Sequence, residues 1–530
     1  MKHFYLRLLL VFGLIGLSPC WLYAQLIYQP YSFQFSQKLD QELYSPGTRL
    51  HTAVKPYLIG DSSIVRPLYD SLMRSNTDRE GKSWLHRVLF SGHLIDVRHK
   101  DYTFYLDYLP DLQIGKEFNE NKTTWLNTRG YQLMGTVGCN FFFYSSAYES
   151  QGVFANYEND YISKTGIIPG QAYDRSANLR TRDWSSVSAL IGYSPNKTLS
   201  IVLGEDKTFI GDGYRSLLLS DFASAYPLLR LTANLGKNIQ YMAQWAYLED
   251  QNAVQFNAFY NNRRKWAAFH YIDWNINNRA SLGFFNALIA EEADEHGNLH
   301  GFDINYINPV LFSSALGPSG VADHTLIGFN GKYKLLNKTT FYGQLLFDQS
   351  ASAANNHKNA WQLGFRGFDL FKAHRLNYLF EYNTAAPYTY ANSSPVVSYN
   401  ELSEPLAHPF GANFREWLAV INYSIGKFDL QGQLNYARYG LNTANINEGK
   451  DLTLADNVNL PLGDYTIGQG LATTLKYAEG TIAYVLNPKY NLRIEAGALL
   501  RQEKNDQTDT RTVLFTIGLR SSFRNLYHDF

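Results

Sequence analysis

The chain has 530 residues, and its 47 basic and 47 acidic side chains give a formal net charge of zero. That balance argues against a nucleic-acid partner, which needs a basic surplus. Beyond the first 25 residues no stretch approaches the eighteen or so apolar residues of a membrane-spanning helix, while 15% of the residues are aromatic.

Residues 1–24 have the pattern of a secretory signal peptide. A basic start with Lys2 and Arg7 precedes the apolar run Leu8–Leu17, and the small residue Ala24 stands at the expected cleavage site. We therefore predict export through a cleaved signal peptide. An exported, aromatic-rich chain without membrane helices spans a bilayer as a closed β-barrel, which predicts the outer membrane of a Gram-negative cell and contact with its lipid.

Residues 25–92 contain two short helical patterns ahead of the first clear strand. Ile64, Leu68 and Leu72 recur at four-residue steps, and a second apolar pattern runs from Trp84 to Leu89. These patterns predict a small N-terminal helical segment on the periplasmic side. It serves as a cap or an inserted plug, or as a binding site for protein partners of the cell envelope.

Residues 93–530 show the two-residue alternation of half-buried β-strands. In Phe428–Tyr436, one face holds Phe428, Leu430, Leu434 and Tyr436, whereas the other is polar. Short turns alternate seven times with long irregular connections, which is the layout of an outer-membrane barrel with periplasmic turns and outer loops. We predict an all-β fold, an antiparallel barrel of 16 to 18 strands with 18 preferred. Residues 127–148 supply at least one of these strands, and a hairpin near residues 93–116 brings the total to eighteen.

Charged residues on the polar faces of these strands are predicted to line the lumen. Either they form salt bridges that keep the barrel rigid, or they select among permeating ions. The predicted lining residues are Arg366, Glu381, Asp429, Arg493, Glu495 and Arg501.

The sequence contains no pattern that predicts catalysis. No Gly-x-Ser-x-Gly elbow is present, and the pair His296 and His300 is interrupted by Gly297 in an acidic loop. We therefore predict no enzymatic activity, no catalytic residue, no metal site and no cofactor.

The stretch Gly204–Leu231 is unusually dense in glycine, charge, aromatic and aliphatic residues for a connection between strands. It predicts a structured loop that folds back against another part of the protein. Aromatic rings beside planar polar groups stack on and hydrogen-bond to sugars, although the same residues also build ordinary ordered loops. The candidate glycan-binding residues in this loop and a second outer loop are Lys207, Asp212, Tyr214, Arg215, Asp221, Tyr388 and Tyr390.

Several segments resemble the Wzi-type capsule-assembly family of outer-membrane barrels, and within it the Bacteroidetes branch that includes RemB-type gliding-motility proteins. The segments that carry the resemblance are Gly204–Asp221, Asn308–Phe312, Tyr388–Tyr390, His408–Asn413 and Gly518–Phe530. The resemblance implies an eighteen-stranded barrel with periplasmic N-terminal helices. It also implies a lectin-like role in holding secreted polysaccharide, or in the motility branch a role in cell-surface movement.

Together these observations predict a non-enzymatic outer-membrane barrel that binds or organises surface polysaccharide, such as a capsule or exopolysaccharide. One alternative is a diffusion channel or transporter. Another is a scaffold subunit of a cell-envelope complex that uses the helices in residues 62–90.

Overall fold

The computed structural model describes residues 26–61, 63–74, 81–176, 180–253, 262–294, 296–302, 304–307, 323–349, 358–443, 446–456 and 465–530. Its main element is a closed antiparallel barrel of eighteen long strands. In chain order they are β1 Tyr102–Glu117, β2 Lys122–Val137, β3 Phe141–Val153, β4 Arg182–Tyr193, β5 Leu199–Asp206, β6 Tyr226–Leu235, β7 Ile239–Asp250, β8 Arg263–Asn275, β9 Ala280–Glu291, β10 Asp323–Leu336, β11 Thr339–Gln349, β12 Asn359–Gly367, β13 Leu376–Ala385, β14 Phe414–Ile425, β15 Phe428–Leu441, β16 Leu471–Asn487, β17 Leu492–Lys504 and β18 Asp509–Ser521.

Each long strand pairs with its sequence neighbours, and the ring closes where β18 meets β1. There Leu514–Leu519 pair with residues 117–112. Below this seam the four-residue strand Ile95–Arg98 pairs with residues 106–103 of β1. The predicted all-β barrel with eighteen strands is therefore confirmed. The predicted hairpin near residues 93–116 consists of this short strand and β1, and residues 127–148 lie in the hairpin of β2 and β3.

The alternation in the sequence separates lipid-facing from lumen-facing side chains. On β15 the apolar residues Phe428, Leu434 and Tyr436 are exposed, whereas the intervening Asp429 and Gln433 are buried. An outward apolar face and a polar interior are characteristic of membrane barrels. The seven turns predicted as short all lie at one end of the barrel, the inner end, and both described termini of the barrel lie there too. The long connections lie at the opposite, outer end.

In the part of the chain that the structure describes, five α-helices accompany the barrel: α1 Phe33–Ser36, α2 Asp40–Leu43, α3 Arg66–Leu72, α4 Trp84–Phe90 and α5 Asn156–Thr165. The two helical patterns of the sequence correspond to α3 and α4. Within the described ranges, none of the helices has the length and hydropathy needed to cross a bilayer. The predicted signal peptide and the segment Asn308–Phe312 lie outside the described residues.

Short strands and 3-10 turns complete the fold and mostly belong to segments inside the barrel. The paired short strands are Ile27–Gln29 with Tyr57–Ile59, Val54–Lys55 with Phe209–Ile210, Ile167–Ile168 with Ala172–Tyr173, and Asn400–Glu401 with Glu404–Pro405. The 3-10 turns are Gln37–Leu39, Ile304–Ile307, Leu370–Lys372 and Pro395–Val397.

The main hydrophobic core of the molecule lies inside the barrel. Leu217, Leu218 and Leu219 from one outer connection pack there together with Tyr390 and Phe410 from another. These side chains are fully buried or nearly so. The lumen is therefore filled by the chain itself, as in a soluble protein core.

Candidate functional site

Four segments fill the lumen, and together we call them the lumenal plug: residues 26–59, 207–225, 386–413 and 522–530. The first segment contacts the inner halves of the strands, where Lys334 Nζ of β10 donates to the carbonyl oxygen of Thr48 at 2.9 Å. The third contacts their outer ends, where Lys265 Nζ of β8 donates to the carbonyl oxygen of Ser398 at 2.9 Å. The plug is thus anchored along the length of the barrel.

Asp212 lies at the centre of one polar network within the plug. Its Oδ1 accepts a hydrogen bond from Tyr44 Oη at 3.0 Å and lies 3.7 Å from Lys332 Nζ, and its Oδ2 accepts from Asn330 Nδ2 at 3.2 Å. Burial by itself raises the pKa of Asp212, but the charges of Lys332 and Lys55 outweigh burial and hold that pKa well below its usual range. Asp212 therefore stays ionised and joins the first plug segment to the wall.

A second ion pair supports the same region from the wall of β12. Arg366 Nη2 lies 2.6 Å from Asp40 Oδ2, and its Nη1 donates to the carbonyl oxygen of Asp212 at 2.6 Å. One guanidinium therefore binds α2 and the loop 207–225 at once. The planar guanidinium of arginine presents several N–H donors in a fixed geometry and can bridge two partners in this way, which the ammonium group of lysine does not offer.

Arg215 lies at the centre of another buried network, which involves the end of the chain. Its Nη2 lies 2.6 Å from Asp529 Oδ2 and 3.3 Å from Glu416 Oε1 of β14. The ring of Tyr214 lies 5.0 Å from the guanidinium. The side chain of Arg215 is only 1% exposed. The loop 207–225 is thus joined to the C-terminal tail 522–530 through a desolvated ion pair.

The loop 207–225 also binds wall groups through its backbone. Glu381 of β13 accepts from the backbone N–H of Tyr214 at 2.7 Å and of Arg215 at 3.3 Å. A Cβ added to Gly213 would lie 2.0 Å from Glu381 Oε1. Glycine at this position is therefore required by the close approach of the loop to the wall.

Asp221 and Lys207 connect the loop to its neighbours at the outer side of the plug. Asn525 Nδ2 and Tyr527 Oη each donate to Asp221 at 2.7 Å. Lys207 Nζ donates to the carbonyl oxygen of Asp221 at 3.1 Å, and burial lowers the pKa of this amine. Nearby, burial raises the pKa of Glu404 to about 7, although its Oε2 accepts from the backbone N–H of Ser224 at 3.0 Å.

Tyr388 and Tyr390 hold the loop 386–413 in an unusual backbone conformation. Both have positive φ angles, 65° and 73°. Such angles are uncommon for residues other than glycine, and residues that adopt them cluster at functional sites. Tyr388 Oη donates to the carbonyl oxygen of Asn447 at 2.6 Å, and Tyr390 Oη to that of Leu217 at 2.8 Å. Tyr388 thus holds the loop 386–413 to the outer connection that contains Asn447, and Tyr390 holds it to the loop 207–225.

The structure therefore places all seven predicted glycan-binding residues in the plug, where their polar atoms bind the chain itself. Six of them are buried, and Lys207 is half-buried. It brings Lys207 and Asp221 together and keeps Asp212, Arg215 and the two tyrosines in separate networks. Their direct contact with a glycan stays a prediction.

The six predicted lumen-lining residues are all buried on the inward face of the wall. Arg366, Glu381 and Asp429 bind the plug, the last through Lys38 Nζ at 2.6 Å. Arg493 and Glu495 pair with each other at 2.7 Å, and Arg501 pairs with Glu503 at 2.7 Å. These contacts agree with the first of the two interpretations of the lining residues, in which they form salt bridges that keep the barrel rigid.

Part of the polar surface at the outer end consists of residues that sequence reasoning did not single out. Tyr173 and Asn252 are exposed, and Glu249, Asn262 and Ser403 are half-buried. Asn262 Nδ2 donates to Tyr173 Oη and to Glu249 Oε2, the latter at 2.8 Å. Asn252 Nδ2 donates to Ser403 Oγ at 2.9 Å. We call these five residues the outer rim cluster. Their types match the predicted glycan-binding chemistry, but Tyr173 and Ser403 are distant in sequence from the other three residues, which lie at the end of β7 and in the connection that follows it.

Other parts of the plug were also missed. Asp40, Glu404 and Asp529 of the plug and Glu416 of β14 are buried near the predicted residues. None of these four carboxylates belongs to a motif that could be recognised in the sequence. At the inner end, Trp84 and Leu85 of α4 are more than half exposed. Protein binding by this helix stays a prediction. Among the described residues, no group of three or more His, Cys, Asp or Glu side chains is arranged to hold a metal ion.

The fold and its closed lumen define the class of the protein as an eighteen-stranded outer-membrane β-barrel. No family model and no curated protein sequence matches the chain. Its fold is similar to that of Wzi, an outer-membrane protein of Escherichia coli described as involved in group 1 capsule assembly and as a carbohydrate-binding β-barrel. The TM-score is 0.55 at 12% identity, over 94% of this chain and 100% of that chain.

Other solved structures match less well. OprD of Pseudomonas aeruginosa gives a TM-score of 0.42 at 11% identity, covering 78% of this chain and 94% of that chain. OccAB2 of Acinetobacter baumannii gives 0.42 at 10% identity, covering 78% and 97%. At these identities the likeness is one of fold.

Proposed function

We propose that this protein is a non-enzymatic barrel of the capsule-assembly or gliding-motility type that binds or organises polysaccharide at the cell surface. The observation that carries the proposal is the plug. Four separate segments close the lumen through buried ion pairs, among them Arg366 with Asp40 and Arg215 with Asp529. A barrel closed in this way suits surface binding better than passage of solutes. The similarity in fold to a carbohydrate-binding barrel supports the same role.

The outer rim cluster is the part of the surface on which we place the polysaccharide. Tyr173 offers an exposed ring for stacking on a sugar, and the half-buried amide of Asn262 contacts its hydroxyl group. Asn252 offers an exposed planar amide in the same connection as Asn262. Hydrogen bonds hold Tyr173, Asn262 and Glu249 together and join Asn252 to Ser403, which belongs to the third plug segment. A preorganised surface of this kind reduces the entropy lost on binding.

The test is binding of the polysaccharide purified from the producing cell to the barrel in lipid nanodiscs. The triple variant Tyr173→Ala, Asn252→Ala and Asn262→Ala is expected to bind at least about tenfold more weakly than wild type, because stacking and amide contacts are both lost. The matched control is Phe118→Ala with Asn119→Ala, an exposed aromatic–amide pair in another outer turn. Equal binding by all three proteins contradicts the proposed site, and absence of binding by wild type contradicts the function.

The second candidate is a diffusion channel, and one feature of the lumen favours it. A crevice follows the tail 522–530 along β3 and β4, and polar side chains such as Asp206, Gln171 and Arg524 line it. Steady conductance by the wild-type barrel would give this candidate precedence.

A further inference from the structure

Five basic side chains face outward at the outer end of neighbouring strands β14 to β18. Arg415 of β14 is paired directly with Arg438 of β15, and Lys476, Lys504 and Arg511 continue the group across the next three strands. All five are exposed. We call them the basic patch.

The basic patch is poorly compensated within the protein. Lys504 and Arg511 both approach Asp509, at 3.8 and 3.5 Å. In the part of the chain that the structure describes, Arg415, Arg438 and Lys476 have no ion pair or side-chain hydrogen bond. Like charges directly opposite each other on paired strands are destabilising. The pair of Arg415 and Arg438 therefore costs stability unless an anion lies between them.

The position of the basic patch along the strands is that of the outer membrane boundary. On β15, Phe428, Leu434 and Tyr436 face outward and are exposed, and Arg438 follows on the same face. The ten residue-to-residue steps from Phe428 to Arg438 rise about 25 Å along the barrel axis, at about 3.4 Å per step and a tilt of about 40°. That height equals the apolar band of a membrane barrel, so Arg438 lies where acyl chains give way to headgroups.

Grooves in the lipid-facing wall lie directly below the basic patch. The upper groove is lined by Trp417, Leu434, Ala478 and Leu500, with Lys476 and Arg511 at its edge. The lower groove continues on the same strands, where Gly432, Gly480 and Gly497 form its floor. The upper and lower grooves lie one below the other on the lipid-facing surface of β14 to β18.

Elsewhere at the outer boundary acidic side chains also face outward, and the basic Arg264 of β8 pairs with one of them, Glu249, at 3.5 Å. Glu149 of β3, Glu205 of β5 and Glu249 of β7 face outward at the same end of the barrel. The basic patch is therefore a local feature of β14 to β18 and not a general property of the boundary.

We propose that the basic patch and the grooves below it bind a phosphorylated glycolipid of the outer leaflet, of the lipid A type. The guanidinium and ammonium groups pair with its phosphates, and its acyl chains lie in the grooves. Arginine binds phosphate oxygens through two parallel N–H groups, and a lipid ligand accounts for both the cations and the apolar wall beneath them. This site does not depend on the proposed role in polysaccharide binding.

The test is native mass spectrometry of the detergent-purified barrel titrated with bisphosphorylated lipid A. The variant R415Q/R438Q/K476Q/R511Q is expected to bind lipid A about tenfold more weakly than wild type, since charge-assisted contacts to phosphate are lost. The matched control is Arg264→Gln, an exposed arginine on the outward face of β8 that pairs with Glu249 at 3.5 Å. Retention of the electrophoretic shift between folded and boiled protein shows that each variant folds.

Two further measurements decide whether phosphate and lipid are both recognised. Lipid A stripped of its phosphates is expected to bind wild type and the quadruple variant equally weakly. Polysaccharide free of lipid is expected not to displace lipid A. Equal lipid A binding by the quadruple variant and wild type overturns the proposal, and so does displacement by lipid-free polysaccharide, which would assign the patch to that ligand.

Discussion

At the scale of single residues, the plug depends on charged side chains that have been removed from water. Arg215 and Asp529 are 1% and 2% exposed, so their attraction acts in a medium of low polarity. A buried pair of this kind adds little net stability, because desolvation of both ions offsets the attraction. Loss of one partner is costly, since it leaves the other charge buried and unpaired.

We expect Arg215→Met to lower the free energy of unfolding of the refolded barrel by about 3 to 5 kcal/mol, because Asp529 and Glu416 lose their cation. Urea titration in lipid vesicles, followed by tryptophan fluorescence, measures this change. The control is Arg264→Met at the exposed outer boundary, where a surface ion pair contributes about 1 kcal/mol or less. Similar urea midpoints for the two variants would show that Arg215 does not hold the plug.

The tail 522–530 contains a histidine whose charge depends on its place in the fold. His528 Nδ1 lies 2.7 Å from Glu158 Oε1 of α5. Burial alone lowers the pKa of His528, but the hydrogen bond and charge of Glu158, with a further contribution from Glu479, raise it to about 9. Because this pKa is raised above the ordinary value of about 6.5, the stabilisation is fully present below pH 6.5 and is lost as the pH rises through about 9.

We therefore expect the tail to become accessible to carboxypeptidase between about pH 7 and pH 9.5 in wild-type protein. In His528→Gln, trimming of the tail is expected to change little over the same range, once corrected for the pH dependence of the protease on a peptide substrate. Wild-type trimming that is flat across the range would contradict an ionic contact between His528 and Glu158.

At the scale of elements, the loop 207–225 is the centre of the plug. It pairs with the first plug segment through Phe209–Ile210 and Val54–Lys55. It binds the third plug segment through Tyr390 and the tail through Asp529 and Tyr527. A loop with this many partners closes the lumen as an interlocked unit, so its removal takes away contacts with all three of the other plug segments.

We expect the wild-type barrel in a planar bilayer to show little or no single-channel conductance, because the described lumen is filled. Replacement of residues 209–221 by a short Gly-Ser linker is expected to give discrete, ion-conducting openings. The matched control is replacement of the outer turn 505–508 by a linker of the same composition, since that turn does not enter the lumen. Steady conductance by the wild type would favour transport over a closed surface-binding barrel.

At the scale of the whole molecule, the barrel combines a membrane exterior with a protein-like interior. The lipid-facing wall is apolar because the bilayer core offers no hydrogen-bond partners. The interior has both ion pairs and a hydrophobic cluster, since four chain segments replace water there. These two environments leave the outer end, with the outer rim cluster and the basic patch, as the surface open to large ligands.

The sequence by itself determined the barrel. Two-residue alternation and the regular exchange of short turns and long connections are local properties, and they predicted a barrel of 16 to 18 strands and its two ends. The inward position of Arg366 and Asp429 also follows from alternation, because a strand has only two faces. Local pattern was likewise sufficient for helices α3 and α4.

Only the tertiary structure decided what the outer loops do. Arg215 and Tyr390 were predicted to bind glycan, and the stretch Gly204–Leu231 was predicted to fold back against another part of the protein. In the structure both loops turn into the lumen, and the polar atoms of both residues bind other plug segments. The partners of Arg215 are about 200 and 314 residues away, and no local pattern specifies contacts at that separation. The basic patch is hidden in the sequence for the same reason, because Arg415, Lys476 and Arg511 become neighbours only when β14 to β18 pair in register.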